Sequence, residues 1–251
     1  PLSTAGMMIE DRTRTYTIAM ERTVVPENFS FRMTDEEYRV LEKIKNSIPV
    51  CYLADHADFA LGIVTGNNKK FLSTEKTEHS EMVLKGTDIC KYHINPAKQY
   101  LRFEPEQFQQ VAPLEIYRAP EKLLYRFISN QLVVAYDDRQ MLSLNSCNIV
   151  IPKIEGMQIK YILAILNSSV SQFVYQKEFH SIKVLRAHME HIPIPRVGKA
   201  IQNEIIAMTE PLICGMGKEA AETCQKRLDC RIMDLFRLSA EEQWIIRHAL
   251  H

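Results

Sequence analysis

The hydrophobic pattern of this 251-residue chain changes period near residue 50 and again near 157, and those two switches bound the folds open to it. Ahead of the first, residues 13–25 alternate weakly around Tyr16, Ile18 and Met20, which predicts a strand. Thr34-Asp35-Glu36-Glu37 then has the form of a capping box, and Tyr38, Leu41, Ile44 and Ile48 follow at helical spacing. From about 50 to 152 the apolar residues fall in short β-rich runs: Phe59 to Val64, Tyr100 to Phe103, Leu132 to Tyr136 and Cys147 to Ile151. Gly, Pro, Asn and Asp separate these runs, so long loops are expected between short strands. From about 157 the period is helical, with Ile159, Ile162, Leu163, Leu166 and Val170 on one face. A link, His191-Ile-Pro-Ile-Pro195, leads to helical stretches at about 199–214 and 218–236. Ser239, with Glu242 three residues on, opens a last helix over 240–249. The expected class is α+β: an N-terminal strand and helix over 1–48, a mostly β module with long loops over 49–156, and a helical region over 157–251.

Composition narrows the function. Hydrophobic residues make up 46% and charged residues 25%, so a packed core is expected and disorder is not. Formal net charge is zero, which lends no general attraction to nucleic acid; only an uneven distribution of charge could supply a basic face. No apolar run approaches the roughly 20 residues that span a bilayer, and Pro1 to Met8 lacks a signal-peptide layout. A cytoplasmic location with no membrane partner is expected. The six cysteines lack C-x-x-C spacing and mostly sit in apolar surroundings, which fits buried thiols in a reducing compartment. A chain that begins at Pro1 is expected to be a piece of something longer.

A search for chemistry leaves little. Neither Gly-Lys pair has the upstream glycine of a phosphate-binding loop. Gly215-Met216-Gly217 lies between helical stretches and reads as a helix break, not a dinucleotide fingerprint. There is no G-x-S-x-G elbow, and no Asp or Glu is followed two residues later by Lys as in many metal-dependent nucleases. His188-x-x-His191, with His180 and Glu190 nearby, could bring imidazoles together, but Pro193 and Pro195 follow at once and favour a surface or capping role. Asn95-Pro96-Ala97-Lys98 imitates the Asn-Pro-Pro-aromatic loop of adenine amino-methyltransferases. Ala97 and Lys98 replace the second proline and the ring that stacks on a flipped base, so Asn95-Pro96 reads as a turn. No catalytic residue, metal ligand or cofactor-binding residue is therefore assigned to this chain.

Two segments combine basic groups, amides and aromatics. Thr65-Gly66-Asn67-Asn68-Lys69-Lys70 offers small residues for close backbone approach, amides for base edges and lysines for phosphates; a solvated Asn-rich turn is the plainer reading. Lys85 to Arg126 carries Lys85, Lys91, Tyr92, Lys98, Tyr100, Arg102, Tyr117, Arg118, Lys122, Tyr125 and Arg126, either as a groove-facing strip or as a solvated strand face.

Taken in order, these segments resemble the TaqI-like specificity domain found at the C-terminus of adenine-specific DNA methyltransferases and fused type IIG restriction-modification enzymes. Gly62-Ile-Val-Thr-Gly66 with Phe71 resembles its G-I-x-T-G segment, and Leu84-Lys-Gly-Thr-Asp-Ile89 with Lys91-Tyr92 resembles its L-x-G-x-D-I-x-R/K-Y segment. Glu121-Lys122 to Tyr136-Asp137-Asp138 is similar to its strand pair ending in Asp, and Tyr161 to Ser168 to its helix ending in L-N-S. Ile192-Pro-Ile-Pro195 resembles its link into a helical tail, and Leu228 to Glu242 its closing helix pair. The resemblance covers roughly 50 to 250. It departs at Thr87, where an arginine commonly precedes the Asp; that arginine's contact does not carry over, and Lys85 is the nearest basic substitute.

The resemblance implies a DNA-recognition region over 49–156 and a helical support region over 157–251, with 49–251 together one specificity domain. It implies double-stranded DNA as ligand, contacted from Thr65, Gly66, Asn67, Asn68, Lys69, Lys70, Lys85, Lys91, Arg118, Lys122 and Arg126. It also implies a catalytic methyltransferase domain in the same parent polypeptide, which would bind S-adenosylmethionine and flip the adenine. The alternatives are a protein-assembly scaffold built on the helical C-terminal region, which the neutral charge favours, and an enzyme using the histidine cluster.

Overall fold

The computed structural model describes residues 6–10, 15–19, 33–179 and 181–250. The chain is α+β. A hairpin of β1 (Gly6–Glu10) and β2 (Thr15–Ala19) precedes helix α1 (Asp35–Asn46). β2 lies within the strand expected over 13–25, the rest of which is outside the described residues. Thr34 caps α1 as its sequence implies: its hydroxyl accepts from the Glu37 N–H at 3.2 Å, and the Glu37 carboxylate accepts from the Thr34 N–H at 3.0 Å.

The organising element is a four-stranded antiparallel sheet. It comprises β4 (Ala57–Ala60), β8 (Lys122–Arg126), β9 (Val134–Asp137) and β11 (Cys147–Pro152), in the order β4-β11-β8-β9. Both faces are covered. Leu123, Tyr125 and Val150 point into one core with the helices, whereas Leu124, Ala135, Cys147 and Ile149 point into a second core beneath the other sheet. Burial on both faces explains why β8 and β11 read as apolar runs instead of alternating ones.

The second sheet has the order β10-β6-β7-β5. It is built from β5 (Leu72–Ser73), β6 (Glu81–Leu84), β7 (Tyr100–Leu101) and β10 (Leu142–Ser143). The run expected as one strand over 59–64 is divided between the two sheets. β4 ends at Ala60, and Ile63 instead joins the second sheet through its N–H to the Ser143 carbonyl at 2.7 Å. Gly62 permits the crossing, because a Cβ there would lie 2.2 Å from the Leu144 carbonyl oxygen. A short pair, β3 (Val50–Cys51) with β12 (Ile194–Pro195), ties the start of the module to the link before the tail.

The helical run from 157 onward is also broken. α4 (Ile159–Asn167) stops at Ser168, whose extended backbone caps α5 (Ser169–Glu178), its hydroxyl accepting from the Ser171 N–H at 3.2 Å. After α6 (Arg186–Glu190), helices α7 (Lys199–Cys214), α8 (Lys218–Leu235) and α9 (Ala240–Ala249) complete the layer. Gly215 stands at the α7–α8 break with φ +79°, a left-handed conformation that suits glycine. α1 packs beside α9, where Lys43 pairs with Glu242 at 2.6 Å. No helix among the described residues is long and apolar enough to cross a membrane.

Sheet and helices are joined by side-chain amides at the outer edge of β9. The Asn167 Oδ1 accepts from the Val134 N–H at 3.1 Å, while its Nδ2 donates to the Val134 carbonyl at 2.8 Å. Gln172 repeats the pattern at Leu132, accepting at 2.9 Å and donating at 3.0 Å. From the other segment, Tyr92 donates its N–H to the Val134 carbonyl at 2.7 Å and accepts from the Tyr136 N–H at 3.1 Å. These bonds satisfy an edge that is otherwise sealed from water.

Two outcomes test this account. Asn167→Ala leaves the buried Val134 N–H without its partner and should cost about 1–3 kcal/mol in urea unfolding. The second concerns pH. Burial pushes the Tyr125 phenol up to about 12, whereas an unfolded tyrosine titrates near ~10. The folded state therefore keeps this proton longer, and the contribution is fully present below pH ~10 and lost between ~10 and ~12. Unfolding stability should fall across that window, and Tyr125→Phe should make the fall shallower.

Candidate nucleic-acid interface

The cations anticipated at a DNA surface divide sharply by what the fold offers them. Lys122 is fully buried. Its ammonium lies 2.6 Å from the Asp137 carboxylate, also fully buried, and donates to the Tyr117 carbonyl at 2.7 Å. Asp137 further accepts from the backbone N–H groups of Arg139 at 2.8 Å and Met141 at 3.0 Å, so the pair also shapes the turn after β9. Burial lowers the lysine's pKa, and Asp137 opposes that shift. Lys91 donates to the carbonyl of Asn167, the last residue of α4, at 3.1 Å, at the end of a helix where positive charge is favoured. Burial lowers its pKa too, with the Asp229 carboxylate acting against the shift. Arg126 is committed to the Gly86 carbonyl at 2.9 Å and the Ile89 carbonyl at 2.5 Å.

The expectation that Lys122 meets DNA is therefore corrected: it is fully buried and its charge is paired inside the protein. Lys91 and Arg126 are half-buried, each bonded to backbone carbonyls. Arg118 is half-buried and holds the Gln140 carbonyl and the Glu81 carboxylate, each at 2.6 Å. Lys85 is half-buried with no acidic partner among the described residues.

The short motifs turn out to hold the scaffold. Gly86 packs so closely on Ser146 that a Cβ would lie 2.4 Å from its carbonyl oxygen, and its N–H donates to the Ser146 hydroxyl at 3.0 Å. Asp88 accepts from the Lys85 N–H at 2.8 Å and closes a one-turn helix over Gly86–Asp88. Asn167 and Ser168 are the sheet clamp and the helix cap already described. His188 is buried, accepts from the Leu185 N–H at 3.2 Å and stacks on Phe179 at 4.5 Å; burial lowers its pKa. His191 is the C-cap of α6, and His180 lies outside the described residues. Asn95 is exposed and donates to the Cys90 sulfur at 3.2 Å.

Lys98 and Arg102 of the longer strip are exposed, and so is most of the first segment. Thr65 is buried, but Gly66, Asn67, Asn68, Lys69 and Lys70 are all exposed. They form a short helical turn, α2 (Asn68–Phe71). The Asn67 Oδ1 caps it by accepting from the Lys70 N–H at 3.2 Å, and the Thr65 hydroxyl donates to the Asn68 Oδ1 at 2.6 Å. The Lys69 ammonium has no acidic partner among the described residues, and that of Lys70 lies 4.5 Å from the Phe71 ring centroid. Beneath the turn, Phe71, Phe103, Phe108 and Tyr117 meet edge to face at 5.3–6.2 Å. That aromatic base also seats a second loop, 107–110, whose exposed glutamines the sequence reading passed over. Only its pairing in space with 64–70 draws attention to them.

Comparison with known families fits these motif positions. Residues 81–194 match the family model described as the TaqI-like C-terminal specificity domain. That span, a little under half of the chain, is similar to the TaqI-like C-terminal specificity domain. The matched span runs from β6 to β12 and includes Gly86, Asp88, Lys122, Asp137, Asn167 and Ser168. Among solved structures, the type IIL restriction-modification enzyme MmeI in complex with DNA aligns at TM-score 0.53 and 11% identity, over 76% of this chain and 34% of that one. The type IIG restriction endonuclease BpuSI aligns at TM-score 0.46 and 10% identity, over 89% and 35%. The HsdS subunit from Thermoanaerobacter tengcongensis aligns at TM-score 0.42 and 14% identity, over 86% and 50%. Of these three, only the MmeI likeness bears on the fold, and at 11% identity on the fold alone. The chain spans between about a third and a half of the length of these structures. Among curated proteins, none matches.

The buried pair is testable. Lys122→Ala strands the Asp137 carboxylate in the core and should cost about 3–5 kcal/mol in chemical unfolding. The double variant Lys122→Met/Asp137→Leu removes both charges and should recover most of that loss. Equal stability of the wild type and Lys122→Ala would contradict the assignment.

Proposed function

We propose that this chain recognises a specific double-stranded DNA sequence on behalf of a restriction-modification enzyme. The observation that carries the reading is the specificity-domain match over 81–194, whose motif residues hold a scaffold that presents Gly66 to Lys70 to solvent. Rigid elements below and a polar, lysine-bearing loop above are what sequence readout needs: lysines meet phosphates, and side-chain amides meet base edges.

In this reading 49–251 acts as one specificity domain and the rest of the machine is a catalytic methyltransferase domain of the same parent polypeptide, in the cytoplasm. That domain would bind S-adenosylmethionine and act on a flipped adenine, chemistry for which this chain supplies only the address. Net charge is zero, so few phosphate contacts are expected and binding by the chain alone should be weak.

A second reading, protein assembly through the helical region, has one observation in its favour. A groove of about 770 Å³ between α7 and α8 is lined by Met208, Pro211, Met216, Ala220 and Cys224. Salt separates the two, since apolar docking is largely insensitive to it.

Duplex binding measured by anisotropy should weaken linearly in log–log terms as salt rises. Lys69→Ala should weaken binding to all sequences alike and reduce the salt slope by about 1. Lys122→Met should leave the slope unchanged. Absence of duplex binding at low salt, even with the catalytic domain supplied, would overturn the reading.

A further inference from the structure

We propose that Gln109 is a base-reading residue, specific for adenine. The inference rests on the DNA-recognition reading above and deepens it.

The loops at 64–70 and 107–110 are one surface. Val64 and Gln110 exchange both backbone hydrogen bonds, at 2.9 and 3.1 Å, and the Lys70 ammonium reaches the Gln107 Oε1 at 3.5 Å. Gln109 lies along Gly66: a Cβ built there would be 3.4 Å from the Gln109 Cβ and 3.6 Å from its Oε1. Gly66 directly precedes Asn67, so the Gln109 amide stands beside the exposed asparagines. Phe108, buried between Phe71 and Phe103, fixes the backbone at Gln109 from below.

The amides of this surface differ in what they have left to offer. The Asn67 and Asn68 oxygens each already accept one bond, from the Lys70 N–H and the Thr65 hydroxyl, so both amides are pinned in the turn at their acceptor ends. Gln107 is engaged at both ends, accepting from Lys70 and donating to the Glu104 carboxylate at 2.8 Å. The Gln109 side chain is exposed and has no hydrogen-bond partner among the described residues, so its donor and acceptor are both free. Gln110 also has a free amide, but only Gln109 atoms lie within 4 Å of a Cβ built at Gly66.

Adenine presents an acceptor, N7, and a donor, the N6 amino group, side by side in the major groove. An amide with both ends free can turn to match that pair, whereas an amide pinned in a turn by its oxygen cannot reorient to it without breaking that bond. Asn67 and Asn68 are suited instead to guanine acceptors or to phosphate oxygens. On this surface the adenine-competent group beside the lysines is therefore Gln109.

The test is selection of bound duplexes from a randomised pool at low salt, using the full chain. The wild type should enrich a site containing an adenine that Gln109→Ala no longer prefers. The lost preference should be roughly ten- to a hundredfold at that position, with the other positions unchanged. Gln109→Glu keeps only acceptors and should move the preference there to cytosine, whose N4 amino group donates. Gln107→Ala should keep the wild-type selection. Both Gln109 variants selecting the wild-type site unchanged would overturn the inference while leaving the recognition reading intact. Uniform weakening on every sequence would also overturn it, making Gln109 a backbone contact. A wild type that enriches no sequence, even with the catalytic domain supplied, would remove the recognition reading and this inference together.

Discussion

The outer edge of β9 carries backbone groups that water cannot reach, and the rest of the structure is arranged to satisfy them. An open strand edge must pair, be covered or face solvent. Here three separate parts of the chain supply the pairing: Asn167 at the end of α4, Gln172 within α5 and the backbone of Tyr92. Asn167 and Gln172 act as substitute strand residues, each giving and taking one bond. The same contacts join the helical layer and the segment after β6 to the central sheet. Asn167 also offers its own carbonyl to Lys91, so one residue ties a strand, a helix end and a half-buried cation together.

The Lys122–Asp137 pair closes the opposite end of the β8–β9 ladder. Two charges this deep tolerate each other only because both are hydrogen-bonded further, to the Tyr117 carbonyl and to the backbone at Arg139 and Met141. Arg126, holding the Gly86 and Ile89 carbonyls, is a further cation of the β module bonded to its own backbone. These internal bonds bear on the neutral composition. Some basic residues that could have balanced DNA phosphates, Lys122 above all, serve the fold instead.

Much of the fold was legible in the residues themselves. Local hydrogen-bonding chemistry marks both capping boxes, Thr34 with Glu37 and Ser239 with Glu242, and the glycine break at Gly215. The boundaries that escaped were set at a distance. The 59–64 run is split at Gly62 because Leu144, far along the chain, approaches there. The run after 157 is split where Ser168 caps a new helix and the distant Asp229 carboxylate accepts from the Ser169 N–H at 2.9 Å.

The candidate site was legible only in part. Thr65 to Lys70 stand out by composition, and all but Thr65 are exposed. Lys122 stands out by the same criterion and is fully buried; Lys91 and Arg126 do too and are half-buried, bonded to backbone carbonyls. The sequence by itself determined the capping boxes that open α1 and α9 and the glycine break between α7 and α8, because those preferences are settled within a few residues. Only the tertiary structure decided which charges face outward. A lysine is buried or free according to whether a distant acceptor, such as Asp137 or the Asn167 carbonyl, is waiting for it, and that is a property of the assembled fold.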